Sequence, residues 1–407
     1  MKMPLYEDLS KEQDLICLFA PLDNAILVSG PPGSGKTVVA FYRAESAAKK
    51  SSKLNLVMFN NVLRKYSSNA SKNSAVQNSV NTWHSWFEAW HSKAFGKLPV
   101  CINYEQWNYD WDKAIEEVIK LAEDPNKKKI ALDSWGILII DEGQDFPKYF
   151  YELASFILGL AKSDESLIVG ITVFADENQR LNTNKNSSIG QIEYALNITT
   201  ERHYRLTKNY RNTFEIAKVA ENFYCGLSTG IPELPEGRHG NKPKIIRTND
   251  PDDGIRKIEM FITNQSDLTV GVFLPDEKSR KDFFHKLEIR LKSLKGVKVQ
   301  GYTSKYGGAG SLVFDKGGHI TVLCDQSAKG LEFDAVFIPE MQARALSPTE
   351  RHAMRMMLYV LASRARTHLT FLYTSLPGES CPFFEIFPEK NSNLLEWVNE
   401  KGSSDNV

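Results

Sequence analysis

The chain has 407 residues, and its 50 Lys and Arg side chains balance 50 Asp and Glu side chains. This length exceeds one ordinary hydrophobic core and predicts two domains. A formal charge of +0 argues against a protein that binds nucleic acid over its whole surface, and leaves a local basic groove as the alternative.

With 42% hydrophobic and 25% charged residues, the composition is that of a soluble globular protein. No stretch approaches the roughly 20 apolar residues of a membrane span, and the first residues lack the apolar core of a signal peptide. We therefore expect a cytoplasmic protein with no membrane contact. The five cysteines are scattered without a C-x-x-C pair, which indicates reduced core residues rather than disulfides or a zinc site.

A glycine-rich loop lies between a short apolar run at 24–28 and a helical pattern at 38–48. The loop fits G-x-x-x-x-G-K-[ST], and its residues are Gly30, Pro31, Pro32, Gly33, Ser34, Gly35, Lys36 and Thr37. In such loops backbone N–H groups hold phosphate oxygens, the lysine neutralises the β- and γ-phosphates, and the hydroxyl ligates Mg²⁺. The sequence therefore predicts an ATP site in which Lys36 is catalytic and Thr37 is a metal ligand.

Further apolar runs of strand length alternate with helical segments along the chain. In the first half they lie at 55–59, 137–140 and 168–174, and in the second half at 244–246, 268–274, 320–323 and 335–338, with 368–373 expected as the last strand. Such alternation predicts parallel sheets covered on both faces. We therefore expect two α/β domains, joined near residues 200–212.

Two segments depart from this alternation. Residues from about 84 to 132 contain tryptophans at helical spacings, which predicts a small helical insertion in the first domain. Their rings could stack on bases, but a compact aromatic core is the simpler interpretation. The lysines at 127–129 are predicted to form a solvated turn, and the glycine-rich segment 301–318 is predicted to form a loop or a hairpin.

Asp141 and Glu142 directly follow the apolar run 136–140. This position places both carboxylates at the C-terminal end of a buried strand, where open α/β sheets bind their ligands. We expect Asp141 to hold the Mg²⁺ shell and Glu142 to orient and deprotonate the attacking water.

The string continues through Gly143, Gln144 and Asp145, and here the chain resembles the superfamily 1 helicases of the UvrD/Rep type. Similar segments follow in family order over nearly the whole chain. The resemblance implies two tandem RecA-like P-loop domains, 1–207 and 208–407, with parallel sheets and an ATP cleft between them. The helical insertion at about 84–132 belongs to the first of these domains.

The resemblance also implies roles for residues around ATP. Segment 9–13 is similar to the adenine-reading segment, with Gln13 as the base contact, and segment 174–179 resembles the third motif, with Gln179 on the γ-phosphate. In segment 206–212, Tyr210 would stack on adenine and Arg211 would contact the γ-phosphate. In the second domain, Glu332 would contact the ribose, and Arg364 would be the arginine finger.

Nucleic-acid contacts are implied in the same way. The residues that match strand-contacting segments of the family are Asn60, Asn61, Thr82, Trp83, His84 and Lys329. The match departs from the family in the fifth motif, where Cys324 and Gln326 replace a threonine and a histidine. The regions 84–132 and 275–318 are too short for the large accessory domains of full-length relatives.

The implied activity is an ATP- and Mg²⁺-dependent helicase or translocase that moves 3′ to 5′ on single-stranded DNA, with RNA as the less favoured track. The short insertions predict that processive unwinding needs a protein partner, such as a nuclease. An alternative stays open: an ATP-gated switch or regulatory subunit that controls such a partner, with nucleic acid incidental.

Overall fold

The computed structural model describes residues 4–50, 53–58, 76, 79–103, 108–164, 166–179, 186–226, 229–301, 312–314, 316–344, 350–375 and 381–399. The chain divides into two compact units, one formed by residues up to Thr207 together with 228–230, and one formed by 208–227 and 231 onward. We call them the first and second domains. Both are α/β domains of the RecA-like kind, each built on one large parallel sheet.

The first domain contains a parallel sheet and a separate antiparallel hairpin. The sheet strands are β1 (Ala25–Ser29), β2 (Leu54–Met58), β3 (Val80–Thr82), β6 (Ile137–Ile140), β7 (Gly170–Ala175) and β8 (His203–Arg205), and the hairpin is β4 (Cys101–Asn103) with β5 (Asn108–Tyr109). The sheet order is β3-β2-β6-β7-β1-β8, with every pairing parallel. The carboxyl ends of all six strands therefore meet at one edge.

Helices cover both faces of this sheet. They are α1 (Lys11–Leu18), α2 (Lys36–Ala48), α3 (Trp83–Phe95), α4 (Trp111–Lys120), α5 (Pro125–Trp135), α6 (Lys148–Ala161) and α7 (Ile189–Ala195). Short 3-10 helices lie at Tyr6–Asp8, Leu121–Glu123, Gly143–Asp145, Glu177–Gln179 and Thr200–Arg202. Within the strands, Ile26 and Ile139 pack under α1 and α2, whereas Leu27 and Leu138 pack under α3 to α7. This alternation explains why the strands are apolar throughout.

The predicted helical insertion forms part of the main core of the first domain. Trp83 is 2% exposed, and its ring stacks on Phe87 at 5.0 Å and meets Phe150 edge-on at 4.7 Å. The same buried cluster includes Leu138 of the central strand β6. The aromatic-core interpretation therefore describes this segment, and the tryptophan rings extend the hydrophobic core of the sheet.

The prediction of a solvated turn at 127–129 is wrong, because these lysines lie in α5. Asp124 caps this helix through its side chain, which accepts from the N–H groups of Asn126 and Lys127. Pro125 occupies the first turn, where proline is tolerated, and Trp135 is fully buried at the other end. The lysines occupy the solvent side of an amphipathic helix.

The second domain has a sheet of seven strands. They are β9 (Lys244–Thr248), β10 (Val270–Leu274), β11 (Lys298–Gly301), β12 (His319–Cys324), β13 (Phe333–Ile338), β14 (Ala365–Thr374) and β15 (Glu396–Val398). Their order is β11-β12-β10-β13-β14-β9-β15, and all pairings are parallel. Four helices are described here: α8 (Phe214–Phe223), α9 (Pro251–Asn264), α10 (Glu277–Leu291) and α11 (Arg351–Ala362). Short 3-10 helices lie at Asp325–Ala328, Met341–Ala343, Pro382–Ile386 and Lys390–Ser392.

One expectation for the second domain needs correction. Strand β14 is not the last, because β15 adds to the sheet beside β9. Within 275–318, α10 packs on the sheet and β11 forms its edge, so the described parts of this region belong to the domain core. No helix in the described ranges is long and apolar enough to cross a bilayer.

The burial of Trp83 generates a stability prediction. Trp83→Ala should lower the free energy of unfolding of the first domain by about 3–5 kcal/mol, because it empties the centre of the aromatic cluster. Urea unfolding followed by circular dichroism measures this change. The control is Tyr194→Ala, whose ring is 88% exposed, and which should change stability by less than about 0.5 kcal/mol. Unchanged stability in Trp83→Ala would contradict the core assignment.

Candidate functional site

The glycine-rich loop connects β1 to the first residue of α2. Gly33 and Gly35 have φ values of 85° and 86°, a left-handed conformation that glycine adopts without strain. A Cβ atom at Gly35 would lie 2.3 Å from the Gln13 amide nitrogen, so the loop also needs glycine for close approach. The backbone of the loop thus takes the compact turn that a phosphate cradle requires.

Lys36 lies buried over this loop, with 6% of its surface exposed. Its Nζ donates to the carbonyl oxygens of Gly30 at 2.6 Å and Pro31 at 3.0 Å. The same ammonium lies 3.4 Å from Oδ2 of Asp176, a fully buried carboxylate that follows β7. Lys36 therefore joins the loop to the end of the neighbouring strand.

Thr37 and Asp141 lie together as expected for two ligands of one metal ion. The Thr37 hydroxyl donates to Oδ2 of Asp141 at 2.8 Å, and the Glu142 N–H donates to Oδ1 at 3.1 Å. Burial and then the neighbouring Glu142 carboxylate raise the pKa of Asp141 well above its ordinary value. A hydroxyl and a carboxylate are hard oxygen donors, which suits Mg²⁺.

The described residues contain no cluster of three or more His, Cys, Asp or Glu side chains that would hold a metal alone. Mg²⁺ often binds through one or two protein ligands and completes its shell with phosphate oxygens and water. The pair formed by Thr37 and Asp141 fits that mode of binding.

Gln144 connects the acidic motif to the end of β7. Its Nε2 donates to Oε2 of Glu142 at 2.6 Å, and its Oε1 accepts from the Asp176 N–H at 2.9 Å. Gln144 and Asp176 are fully buried and Glu142 is 3% exposed. Glu142 has a φ of 56°, so its backbone turns sharply as the strand ends. The bridge fixes the carboxylate that is expected to act as the base.

Sequence reasoning gave no role to Gln144 or Asp176, although both belong to motifs that it recognised. Their contact spans 32 positions in the chain and depends on strand register, with Ile140 opposite Val173. In the sequence, the one signal for this contact was that both polar residues lie just after an apolar run of strand length.

The turn after β7 is held by one of its own side chains and by contacts with residues 229–230. Oδ1 of Asp176 accepts from the Asn178 N–H at 3.0 Å, and Asn178 Nδ2 donates to the Gly230 carbonyl at 2.5 Å. The Glu177 N–H donates to the Thr229 hydroxyl at 3.0 Å. The side chain of Gln179 lies outside the described part of the structure, so its assignment to the γ-phosphate stays a prediction.

Gln13 lies directly against the glycine-rich loop. Its Nε2 donates to the Ser34 carbonyl at 3.1 Å, and its Oε1 accepts from the Ser10 N–H at 3.0 Å, which caps α1. The side chain is 5% exposed. The proposed adenine contact is therefore beside the loop, with both ends of its amide engaged in protein hydrogen bonds.

The residues of the first domain that were expected to contact a nucleic-acid strand differ in position and burial. Asn60 and Asn61 lie outside the described residues, and Thr82 is partly exposed where β3 ends and α3 begins. Nδ1 of His84 lies 3.3 Å from the Tyr109 hydroxyl, and burial lowers the pKa of His84 to about 4. Trp83 needs correction, because its ring is enclosed by protein and presents no free face to a base.

The second domain brings three of its predicted residues together. Nε of Arg211 donates to Oε2 of Glu332 at 3.0 Å, and its Nη1 lies 3.3 Å from the Ser363 carbonyl. Arg364 follows directly; it is 1% exposed and donates to the carbonyls of Val360 and Leu331 at 3.2 and 3.4 Å. These three charged residues lie where β13 and β14 begin.

Tyr210 and Lys329 flank this group in sequence but differ in exposure. Tyr210 is 41% exposed, with its carbonyl accepting from Arg238 at 2.8 Å, so its ring is available for stacking. Lys329 is 8% exposed and follows the 3-10 helix Asp325–Ala328. The expectation that Lys329 contacts a nucleic-acid backbone stays a prediction.

A buried ion pair fixes the segment that departs from the family pattern. Asp325 accepts from Nε and Nη2 of Arg344 at 3.0 and 2.9 Å, and Arg344 also donates to the Phe273 carbonyl at 2.9 Å. Beside it, Sγ of Cys324 lies 3.4 Å from the Glu277 carboxylate. This anchor escaped sequence analysis because its partners lie 19 positions apart.

The raised pKa of Asp141 generates a prediction about pH. Because this pKa is higher in the folded than in the unfolded chain, the group stabilises the fold below about pH 4, and that contribution is lost as pH rises through the folded pKa. Asp141→Asn keeps the shape without the charge. It should therefore become more stable than the parent as pH increases, by about 1–3 kcal/mol at pH 8.

Urea unfolding at pH 4.5 and pH 8, without nucleotide or metal, measures this difference. The matched control is Asp133→Asn, because the Asp133 side chain is 51% exposed, and its stability should follow the parent at both pH values. A relative stability of Asp141→Asn that falls with increasing pH would contradict the burial argument.

Comparison with known proteins finds two helicase families, each over part of the chain. Residues 23–221 match the family described as "Schlafen group 3, DNA/RNA helicase domain", and residues 319–372 match "UvrD-like helicase C-terminal domain". A solved structure, the C-terminal domain of a possible DNA helicase from Lactobacillus plantarum WCFS1, is 20% identical; the alignment covers 46% of this chain and 97% of that one, with a TM-score of 0.32. No curated protein matches the chain. The chain is thus similar to helicase domains over residues 23–221 and over residues 319–372.

Proposed function

We propose that the protein is an ATP-driven motor that hydrolyses ATP with Mg²⁺ when it binds single-stranded nucleic acid, and that it moves 3′ to 5′ along DNA. The observation that supports this most directly is the buried chain of contacts from Lys36 through Asp176 and Gln144 to Glu142. It joins the phosphate loop, the acidic motif and the third motif within one domain. Such a connection lets a change at one motif alter the geometry of the others.

In the proposed mechanism the loop backbone and Lys36 hold the β- and γ-phosphates of ATP. Thr37 and Asp141 would hold Mg²⁺, which neutralises charge on the phosphates when bound. Glu142 orients the attacking water and accepts its proton, and Gln144 keeps that carboxylate in position through its 2.6 Å hydrogen bond. Lys36 must exchange its contacts with Gly30 and Pro31 for phosphate oxygens.

The remaining ATP contacts are proposed from the motif matches. Gln13 and Tyr210 recognise adenine, Glu332 contacts the ribose, and Gln179 and Arg211 contact the γ-phosphate. Arg364 supplies the positive charge of an arginine finger. The salt bridge between Arg211 and Glu332 supports a shared role, because it holds both side chains at the start of β13.

The motif matches also underlie our proposals for the nucleic acid that the protein moves along and for its protein partner. The residues proposed to contact the nucleic-acid strand are Asn60, Asn61, Thr82, His84 and Lys329. Trp83 positions its neighbours from within the core. DNA is the proposed track, and RNA is tested beside it because the family matched by the first domain is described as a DNA/RNA helicase domain. We further propose that processive unwinding requires a protein partner such as a nuclease, since the described parts of 84–132 and 275–318 belong to the domain cores.

ATP turnover with and without single-stranded DNA or RNA tests the proposed activity. Single-stranded DNA should stimulate phosphate release strongly, and RNA less. Lys36→Ala should weaken phosphate binding and abolish turnover, whereas Glu142→Gln should still bind ATP and Mg²⁺ but stall hydrolysis. The control Lys49→Ala changes an exposed lysine just after α2 and should behave as the parent. An unstimulated basal rate, or intact turnover in Glu142→Gln, would overturn the proposal.

Arg364→Ala should reduce the catalytic rate by about 10³-fold or more, as loss of an arginine finger does. Single-turnover hydrolysis measures the rate, and thermal unfolding separates lost chemistry from lost folding, since Arg364 is buried. Arg366→Ala is the matched control; its side chain is 36% exposed and lies 3.5 Å from Asp334. A large loss in Arg366→Ala with little effect in Arg364→Ala would show that the finger is the other arginine.

An unwinding assay tests the need for a partner. The isolated chain should translocate on single strands but separate long duplexes poorly. Efficient processive strand separation by the isolated chain would contradict this part of the proposal.

A further inference from the structure

A cavity of about 310 Å³ lies in the second domain, on the sheet face that α9 and α10 cover. Helix α9 and strands β9, β13 and β14 contribute most of its walls. The lining residues are Asn241, Lys242, Lys244, Ile246, Lys257, Met260, Phe261, Asn264, Gln265, Phe337, His368, Leu369 and Thr370.

The cavity lies where the end of α9 meets the start of β9. Helix α9 follows β9 and runs back along it, so its last residue, Asn264, lies near the start of that strand. Farther along the strands, Ile246 and Leu372 are covered and belong to the core. At the start, Lys244 and Thr370 lie on the same face and line the cavity together with Ile246. Polar side chains thus stand beside core residues in the wall of the cavity.

The charge of this lining is one-sided. The described residues of the lining include Lys242, Lys244 and Lys257 and no acidic residue. Lys242 donates to the amide oxygen of Asn393 at 2.6 Å, and Lys244 lies 3.4 Å from Glu396, whose side chain is 50% exposed. An exposed ion pair of this kind is weak and exchanges readily for a better anion.

The floor of the cavity is aromatic. The Phe261 ring meets Phe337 and His368 edge-on, with both centroid distances at 5.2 Å, and Met260 is 58% exposed beside it. Asn264 and Gln265 add amide groups at the end of α9. Aromatic rings bind other flat rings, and amides donate to and accept from the edges of a base.

We propose that this cavity binds a nucleotide unit, with its base against Phe261 and its phosphate near the lysines. The volume is at the lower end of small-molecule sites and suits one nucleotide. An inorganic phosphate would leave the aromatic floor uncovered, and an apolar ligand would remove water from the lysine ammonium groups and offer them no hydrogen-bond acceptor. The same chemistry is offered by a free nucleotide and by the terminal nucleotide of a strand.

The site is independent of the residues assigned to ATP hydrolysis. Among the lining residues that the structure describes, none belongs to the glycine-rich loop, the acidic motif or the group formed by Arg211, Glu332 and Arg364. Binding at the cavity can therefore be lost while ATP turnover is kept, and the reverse also holds. This separates a failure of this inference from a failure of the proposed motor function.

Isothermal titration with thymidine 5′-monophosphate tests the inference, because this probe carries one base and one phosphate. The parent should bind it saturably at one site, and thymidine or inorganic phosphate alone should bind at least about tenfold more weakly. Lys36→Ala should leave this binding unchanged. Lys257→Glu should weaken it at least about tenfold, and Lys257→Gln, which removes only the charge, should weaken it by a smaller factor.

The matched control is Lys292→Glu, the same charge change at an exposed lysine just after α10, which should bind as the parent does. Thermal unfolding of each variant establishes that it is folded. Absence of saturable binding to the parent would overturn the inference. So would equal affinities for folded Lys257→Glu and the parent.

A thymidine tetranucleotide with a 5′-phosphate distinguishes the two sources of the ligand. If the end of a strand occupies the cavity, Lys257→Glu should weaken the tetranucleotide and the mononucleotide by the same factor. If the ligand is a free nucleotide, Lys257→Glu should weaken only the mononucleotide. Either outcome supports a nucleotide site and assigns its source.

Discussion

Burial of unlike charges at the carboxyl ends of three parallel strands is the constraint on which the first domain depends. Lys36 is the cation there, and Asp141, Glu142 and Asp176 are the carboxylates, all at most 6% exposed. Isolated buried charges are costly, so each must have a partner or lose its charge. Hydrogen bonds from Thr37 and Gln144, the salt bridge to Lys36 and the raised pKa of Asp141 meet this requirement.

The excess of carboxylates over cations also gives the site its chemical character. A divalent cation at Thr37 and Asp141 would balance the excess negative charge. The excess of buried carboxylates therefore lowers stability when no cation is bound, and it favours metal binding. Gln144 is the residue that makes the arrangement specific, because its two amide ends contact Glu142 and the backbone of Asp176. A carboxylate in its place could not donate to Glu142.

The sequence predicted the long, doubly covered strands well, because parallel strands buried on both faces are continuous apolar runs. It missed β3 and β8, which are only three residues long and contain polar or charged side chains. It also missed β15, a three-residue strand at one edge of the second sheet. Within the predicted helical insertion, the lysines at 127–129 indicated a turn, although Asp124 and Pro125 are a clear start for helix α5.

The site was predictable in its parts and not in its connections. The glycine-rich loop and Asp141 with Glu142 are local patterns whose chemistry follows from residue type and position. The link through Gln144 to Asp176 joins two strands and requires their register. The core position of Trp83 likewise depends on Phe146 and Phe150, which follow β6 in the chain.

A double-mutant cycle on Gln144 and Glu142 tests most directly whether these residues act as one unit. The rate of ATP hydrolysis at saturating single-stranded DNA would be measured for Gln144→Ala, Glu142→Gln and the double variant. If Gln144 acts by holding the Glu142 carboxylate, Gln144→Ala should lower the rate, and the double variant should be no slower than Glu142→Gln alone. Additive losses in the double variant would contradict the account.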